Sequence, residues 1–428
     1  MDIFYRYGEW TIIHNRIDMA QTLKFGNGTW ATKKGSTLAF NDEDGNYKPL
    51  PFTTTRATSA TRVNKEGLIE VVESDRPRID YTDSADGVLL LEKAATNLVT
   101  HSEDFSNAAW VKLGAGTGSA AIVTSDYAIS PDGTQNATRL QCDLNGGLTS
   151  SANQSLIYDS YTSSGNQSIS IYVKSNTGSN QTIYFANTQT SGDTITVTSD
   201  WQRFEFSHST ATYIVAIGLR GRSGGSIDDT ADILIWGAQS ESGNLSSYIP
   251  TQGSAVTRVA DTASGSGNSE VFNDSEGVLF ANIAANANDL SNRILSLSNG
   301  AYSNSTRISY NTTSNSIEYR VVSSSSIQAQ LIYALPDIKT NNKISVKYKS
   351  NDFALWINGF KVATDLSGLT SIGLDRLNFD DGGGAADFYG KTKEIGYYDT
   401  TLTDAELETL TSYRSLSELV TELNLNTL

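Results

Sequence analysis

Apolar and polar residues alternate with a period of two through much of this chain, and that rhythm admits strands and little else. In SISIYVKS (168–175), Ile169, Ile171 and Val173 alternate with Ser170, Tyr172 and Lys174. In WQRFEFS (201–207), Phe204 and Phe206 alternate with Arg203 and Glu205. YIVAIGLRG (213–221) sets Tyr213, Val215, Ile217 and Leu219 on one face, and ILIW (233–236) continues the series. A period of two gives each strand one buried and one wet face, as in packed antiparallel sheets. Turn formers such as Ser164-Gly165-Asn166 and Ser191-Gly192-Asp193 separate the runs. Residues 88–250 are therefore expected to form a β-sandwich or jelly roll.

A second sandwich is expected over 277–413, from VLFANI (278–283), RILSL (293–297), SIEYRVV (316–322), ISVKYK (344–349) and LWINGFKV (355–362). Asn358-Gly359 predicts a two-residue hairpin turn, because both positions must accept positive φ. Thr403 and Glu406 fit a capping box that opens a helix. Leu407, Leu410, Leu416, Leu419, Val420 and Leu423 follow at helical spacing. Residues 403–413 are expected to dock on their own sandwich. The tail, 414–428, is expected to be helical and is open to a role between subunits.

Residues 1–87 have the least regular pattern and are expected to form an extended N-terminal attachment region of short strands. Met19 is a natural translation start, so residues 1–18 are expected to be an extension absent from the mature protein. Residues 251–276 are small and polar and are expected to be a linker. TSATRVNKEG (58–67) and GSAVTRVADT (253–262) echo each other at the two hand-over points. The fold class is thus all-β: two β-sandwich domains in tandem after that region, with a short C-terminal helix.

Composition narrows function by exclusion. The formal net charge is −16, which repels phosphate backbones and disfavours a nucleic-acid partner. No apolar run approaches the ~18 residues of a membrane span, and the N-terminus does not read as a secretion signal. The single cysteine, Cys142, excludes an intrachain disulfide framework. It shares a strand face with Leu140 and Leu144, which predicts a buried, inert thiol. His14, His101 and His208 sit in unrelated contexts, without metal spacing or a nucleophile elbow. Acidic pairs such as Asp228/Asp229 and Asp380/Asp381 are expected by chance among 47 acids. The Gly390-Lys391-Thr392 triplet lacks the glycine a phosphate loop needs at 385, which is Ala385. Calcium is the one cofactor considered: in NFDDGGGAAD (378–387), Asp380, Asp381 and Asp387 carry hard oxygens and the glycines allow carbonyls to turn inward. A solvated acidic turn is the competing interpretation. Trp110, Trp201, Trp236 and Trp356 are candidate sugar-stacking rings, but each lies in or beside a strand pattern that favours the core.

Two segments bracket the first sandwich: VLLLEKAATNLVTHSEDFSNAAW (88–110) and ILIWGAQSESGNLSSYIPTQGSAVTRVAD (233–261). With PDGTQNAT (131–138) and DWQRF (200–204), they resemble the carbohydrate-binding-like sandwich of tailed-bacteriophage tail and fibre proteins. ISVKYKSNDFALWINGFKVAT (344–364) and DFYGKTKEIGYYDTTLTDAELETL (387–410) resemble the laminin-G-like, concanavalin-A-like fold. The resemblance implies a non-enzymatic structural protein on the virion surface, a tail or head fibre or adhesin. It implies binding to host-surface glycan, other virion proteins as partners, and a homo-oligomer, commonly a trimer. A polysaccharide depolymerase and a ligand-free capsid decoration protein are the alternatives. Fold analogy alone assigns no activity.

Overall fold

The computed structural model describes residues 2–6, 9–13, 21–162, 165–187, 192–209, 212–224 and 227–423; Met19 lies outside them. Among the described residues the chain is all-β apart from one 3-10 turn and two short helices near its C-terminus. Asp2–Arg6 and Glu9–Ile13 pair as a separate hairpin. No described helix is long and apolar enough to cross a membrane.

The first sandwich stacks two five-stranded antiparallel sheets. One is ordered Val111–Ala115, Gln154–Thr162, Thr212–Arg220, Gln181–Ala186, Gly192–Val197. The other is ordered Ile122–Ala128, Ala137–Asp143, Thr230–Ser242, Gln167–Ser175, Gln202–His208. The alternating positions meet between them: Ile169, Ile171, Val173, Val215, Ile217, Leu219, Ile233 and Ile235 are all buried in one core. Burying each such side chain is worth about 1.5–3 kcal/mol. Leu140, Cys142 and Leu144 share this core, and burial pushes the Cys142 thiol up to about 12. The long strand Thr230–Ser242 changes face at a bulge, where Gly237 adopts φ +65. A β-carbon there would lie 3.2 Å from the Tyr172 ring and 3.3 Å from that of Tyr248, so glycine serves both the conformation and the packing.

The second sandwich is built from both ends of the chain, which corrects the expected domain boundaries. Its larger sheet runs Phe360–Asp365, Phe353–Ile357, Asn342–Lys349, Glu276–Ala285, Gly390–Tyr398, Leu23–Gly26, Phe40–Asn41, Lys48–Pro49. Val88–Leu91 pairs with the start of Gly390–Tyr398. The facing sheet is ordered Ser326–Ala334, Ser316–Ser323, Ser305–Tyr310, Arg293–Ser298, Arg376–Asn378. Phe25, Phe52 and Phe379 pack ring against ring in the core between the sheets. Residues 21–91 are therefore short strands, as expected, but most of them belong to this sandwich rather than to a separate arm, while the hairpin Ala60–Val63/Ile69–Val72 packs on the first sandwich. The expected linker is likewise structured: Val256–Arg258 pairs with Ala95–Asn97, and Thr262–Ser264 with Phe52–Thr55. The first sandwich is an insertion between two strands of the second. Ile357 pairs with Phe360 across Asn358 (φ 50) and Gly359 (φ 90), the expected two-residue turn. The Gly390-Lys391-Thr392 triplet lies in a strand in the interior of the large sheet, which excludes a phosphate loop.

The bracketing segments form the seam that holds the insertion. Asn97 donates to the Ala238 and Ile249 carbonyls, and Ser247 donates through its amide and hydroxyl to Glu92. Ser102 exchanges hydrogen bonds with Tyr248 and Thr251. At the far end of the chain, the Thr403–Glu406 capping box opens helix Asp404–Thr411. Its Leu407 is buried against Val278, Ala354, Trp356 and Tyr398, so the helix docks on its own sandwich.

Candidate functional site

The three aspartates considered for calcium do not form a ligand set. Asp380 accepts the Gly382 amide at 2.6 Å, Asp381 accepts those of Gly383 and Ala385, and Asp387 accepts the Tyr389 hydroxyl at 2.9 Å. Their oxygens hold a glycine-rich turn together. Burial, then the neighbouring acids, pushes the Asp380 carboxyl above its ordinary range. Among the described residues no group of three or more His, Cys, Asp or Glu converges as metal ligands would.

Nor do the tryptophans offer an open stacking face. Trp110 packs on Phe105 and donates to the His101 carbonyl. Trp236 and Tyr172 do point out of their sheet, but hairpin Ala60–Val63/Ile69–Val72 lies over them, with Ile69 buried against Trp236 and Tyr248. Trp356 lies under the C-terminal helix, and half-buried Trp201 donates to the Ile129 carbonyl.

A different surface gathers the polar chemistry: the outer face of the five-stranded sheet of the second sandwich. In its strands Leu295, Leu297, Ile308, Tyr310, Ile317, Tyr319 and Val321 point into the core. The alternate residues point away and are mostly hydroxyls, amides and charges. Register then builds a row across all five strands: Asn378 opposite Ser296, Ser296 opposite Arg307, Arg307 opposite Arg320, and Arg320 opposite Gln330. Glu318, on the same face, forms an ion pair with Arg320 and accepts the Gln330 amide at 2.9 Å.

Tyr302 covers the middle of the row. It stands on the connection after Gly300 (φ +82), with its ring centroid 4.0 Å from the Arg307 guanidinium carbon. Its hydroxyl accepts from Arg320 Nη1 at 3.0 Å. The adjacent guanidinium groups, Arg307 first and then Arg320, hold the phenol below the usual tyrosine range. Arg307 is only 2% exposed, yet its Nε and Nη2 and the neighbouring Ser296 Oγ have no hydrogen-bond partner. Among the described residues no carboxylate pairs with Arg307 within 4 Å. Buried polar groups are ordinarily satisfied, so adjacent unmet donors mark a place where something can bind.

None of these residues was singled out from sequence. RILSL and SIEYRVV read as strands from sequence, but the two strands flanking SIEYRVV, Ser305–Tyr310 and Ser326–Ala334, do not stand out there. The signal is a set of arginines and serines at the positions that alternate with the core residues of neighbouring strands, and only register shows that they align.

No protein-family model and no curated protein matches the chain. Among solved structures, the N-terminal CBM22 tandem of a Paenibacillus barcinonensis protein is 13% identical, with a TM-score of 0.23, covering 72% of this chain and 99% of that one. Trypanosoma rangeli sialidase with the inhibitor DANA is 10% identical, with a TM-score of 0.28, covering 89% and 82%. The LG1-3 region of the laminin α2 chain is 11% identical, with a TM-score of 0.18, covering 88% and 92%. At these values no residue of this chain takes a counterpart in them.

Proposed function

We propose that this chain is a non-enzymatic structural protein of a tailed-phage virion, a tail or head fibre or adhesin, that binds host-surface glycan through the outer face of the five-stranded sheet. The observation that carries the glycan part is the row Asn378, Ser296, Arg307, Arg320, Gln330 beside the Tyr302 ring. Amides, hydroxyls and guanidinium groups in one plane next to an aromatic ring suit a sugar, which offers hydroxyls at its edge and CH groups on its face. The virion part rests on the resemblance of the bracketing segments.

Self-association fits the two strands at the ends of their sheets, Ser326–Ala334 and Phe360–Asp365, beside exposed Ile327, Phe360, Leu366 and Leu369. Edges of this kind are ordinarily covered, and a symmetric homo-oligomer would cover them. A glycan array carrying neutral and acidic host polysaccharides tests the binding; retention of no glycan overturns it. Mass spectrometry of purified particles tests the location, and absence of the chain from them overturns that. A monomer in mass-calibrated chromatography overturns the oligomer.

A further inference from the structure

Arg307 differs from every other arginine buried to the same depth. Arg56, Arg78, Arg258 and Arg293 each have a carboxylate within 4 Å. Arg307 has a tyrosine ring face instead. A guanidinium removed from water without a counter-charge is costly, and the negative face of an aromatic ring offsets only part of that.

Tyr302 meets both arginines as an anion would. Its π-face lies on Arg307 and its phenol oxygen accepts from Arg320. It is also 44% exposed and stands on a surface connection, so rotating it outward disturbs no core packing. Once it turns away, Arg320 Nη1 loses its acceptor. Arg307 Nε and Nη2 and the Ser296 hydroxyl are already unpartnered. Nε and Nη2 form one edge of the planar fork that fits a two-oxygen anion.

We infer that Arg307, flanked by Ser296 and Arg320, seats the carboxylate or sulfate of an acidic sugar, and that Tyr302 is the movable cover of that seat. This rests on the glycan-binding reading and names its ligand class. Gln330, exposed at the end of the row, serves the sugar rather than the charge. Glu318 holds Arg320 in line with the seat and repels an anion placed on the wrong side of it.

The test uses the full chain and isothermal titration with glucuronic acid, N-acetylneuraminic acid, glucose 6-sulfate, glucose and inorganic sulfate. Glucuronic and N-acetylneuraminic acids binding more tightly assigns a carboxylate; glucose 6-sulfate binding more tightly assigns a sulfate ester. Either acidic class should exceed glucose by about tenfold or more, the worth of a charge-assisted bond. Arg307→Met should abolish that excess. Arg307→Lys, which keeps the charge but not the fork, should weaken it severalfold and serves if the Met variant fails to fold. Tyr302→Ala should tighten binding, because the cover no longer competes.

Equal binding of glucose and the acidic sugars overturns the proposal, as does acidic-sugar binding that survives both Arg307 substitutions. Inorganic sulfate matching the sugars overturns the sugar part, and weaker binding by Tyr302→Ala overturns the cover. Neutral glycans retained on the array without acidic preference leave glycan binding standing and remove this inference. Retention of no glycan removes both.

Discussion

The junction between the two sandwiches and the outer face of the five-stranded sheet both bury arginine, and they treat it in opposite ways. At the junction Arg56, Arg78 and Arg258 surround Glu92 and Asp261. Arg56 reaches Asp261 at 2.9 Å, Arg78 reaches Glu92 at 2.7 Å and also pairs with Asp261, and Arg258 lies within 4 Å of both acids. Backbone carbonyls of Thr58, Thr61, Glu73 and Lys93 take further donors. On the sheet face, Arg307 has no carboxylate and two unpartnered nitrogens. Desolvation is similar at both places; the offsetting charge is not. Arg78 Nε and Arg258 Nε at the junction are unpartnered as well, so the missing counter-charge, and not an unmet donor, is what leaves Arg307 prepared for an anion from outside.

Breaking the junction should produce the largest effect. Asp261 pairs with all three arginines, and its carboxylate also accepts the Glu92 amide at 2.9 Å. Asp261→Ala leaves Arg78 and Arg258 sharing Glu92 and Arg56 with no carboxylate. Removing one partner of a buried ion pair costs about 3–5 kcal/mol, and this carboxylate serves three. The loss should appear in urea denaturation. It should also separate the unfolding of the inserted sandwich from that of its host, since Arg56, Arg78, Glu92 and Arg258 come from both sides of the insertion. A loss below about 1 kcal/mol would mean that the cluster does not hold the junction.

Acids extend the contrast and give it a pH signature. Burial alone would raise the Glu92 carboxyl, but Arg78, Arg258 and Ser247 outweigh it and hold it down at about 2. Glu241, 1% exposed, has only Ser246 and Gln239 as hydrogen-bond donors; burial, with Glu92 nearby, pushes it up to about 7. Both start from 4.5 when unfolded. Glu92 is depressed on folding, so its contribution is present above pH 4.5 and lost as pH falls through about 2. Glu241 is raised, so its contribution is present below 4.5 and lost as pH rises through about 7. Stability should therefore decline between pH 5 and 7.5, by about 2 kcal/mol from Glu241. Glu241→Gln should flatten that decline in paired urea titrations. An unchanged slope would mean that Glu241 stays ionised in the folded protein.

What the sequence makes legible follows the length of its patterns. Gln167–Ser175 is long enough to display a period and Glu276–Ala285 a continuous apolar run, and Asn358-Gly359 and Thr403–Glu406 are local signals with local causes. The pairing of Leu23 with Tyr397 leaves no local mark, because a four-residue strand has hardly any period and its partner lies at the other end of the chain. That is why residues 21–91 look like a separate arm. Arg258 and Asp261 look like linker because one cation and one acid among small residues do not announce that Arg56, Arg78 and Glu92 converge on them. The sheet-face row has the same difficulty. Each strand shows its polar alternates, but Ser296, Arg307 and Arg320 become neighbours only through register.

The smallest expected effect sharpens the comparison most. Arg307→Met removes a buried cation that has no counter-ion, while the methionine stem keeps much of the arginine's apolar packing under Tyr302. A buried ion replaced by a well-packed apolar side chain is often neutral or stabilising. Stability should therefore change by about 1 kcal/mol or less in either direction, against several for Asp261→Ala. A loss comparable to that of Asp261→Ala would make Arg307 a structural keystone and erase the distinction between the two regions. With near-neutral stability established, an acidic sugar supplied in excess separates binding from folding. A ligand that binds only the folded state raises its stability in proportion to log concentration. Glucuronic acid should therefore raise the melting temperature of the wild type and leave that of Arg307→Met unmoved. Neither protein should respond at the junction, where every guanidinium already has its carboxylate.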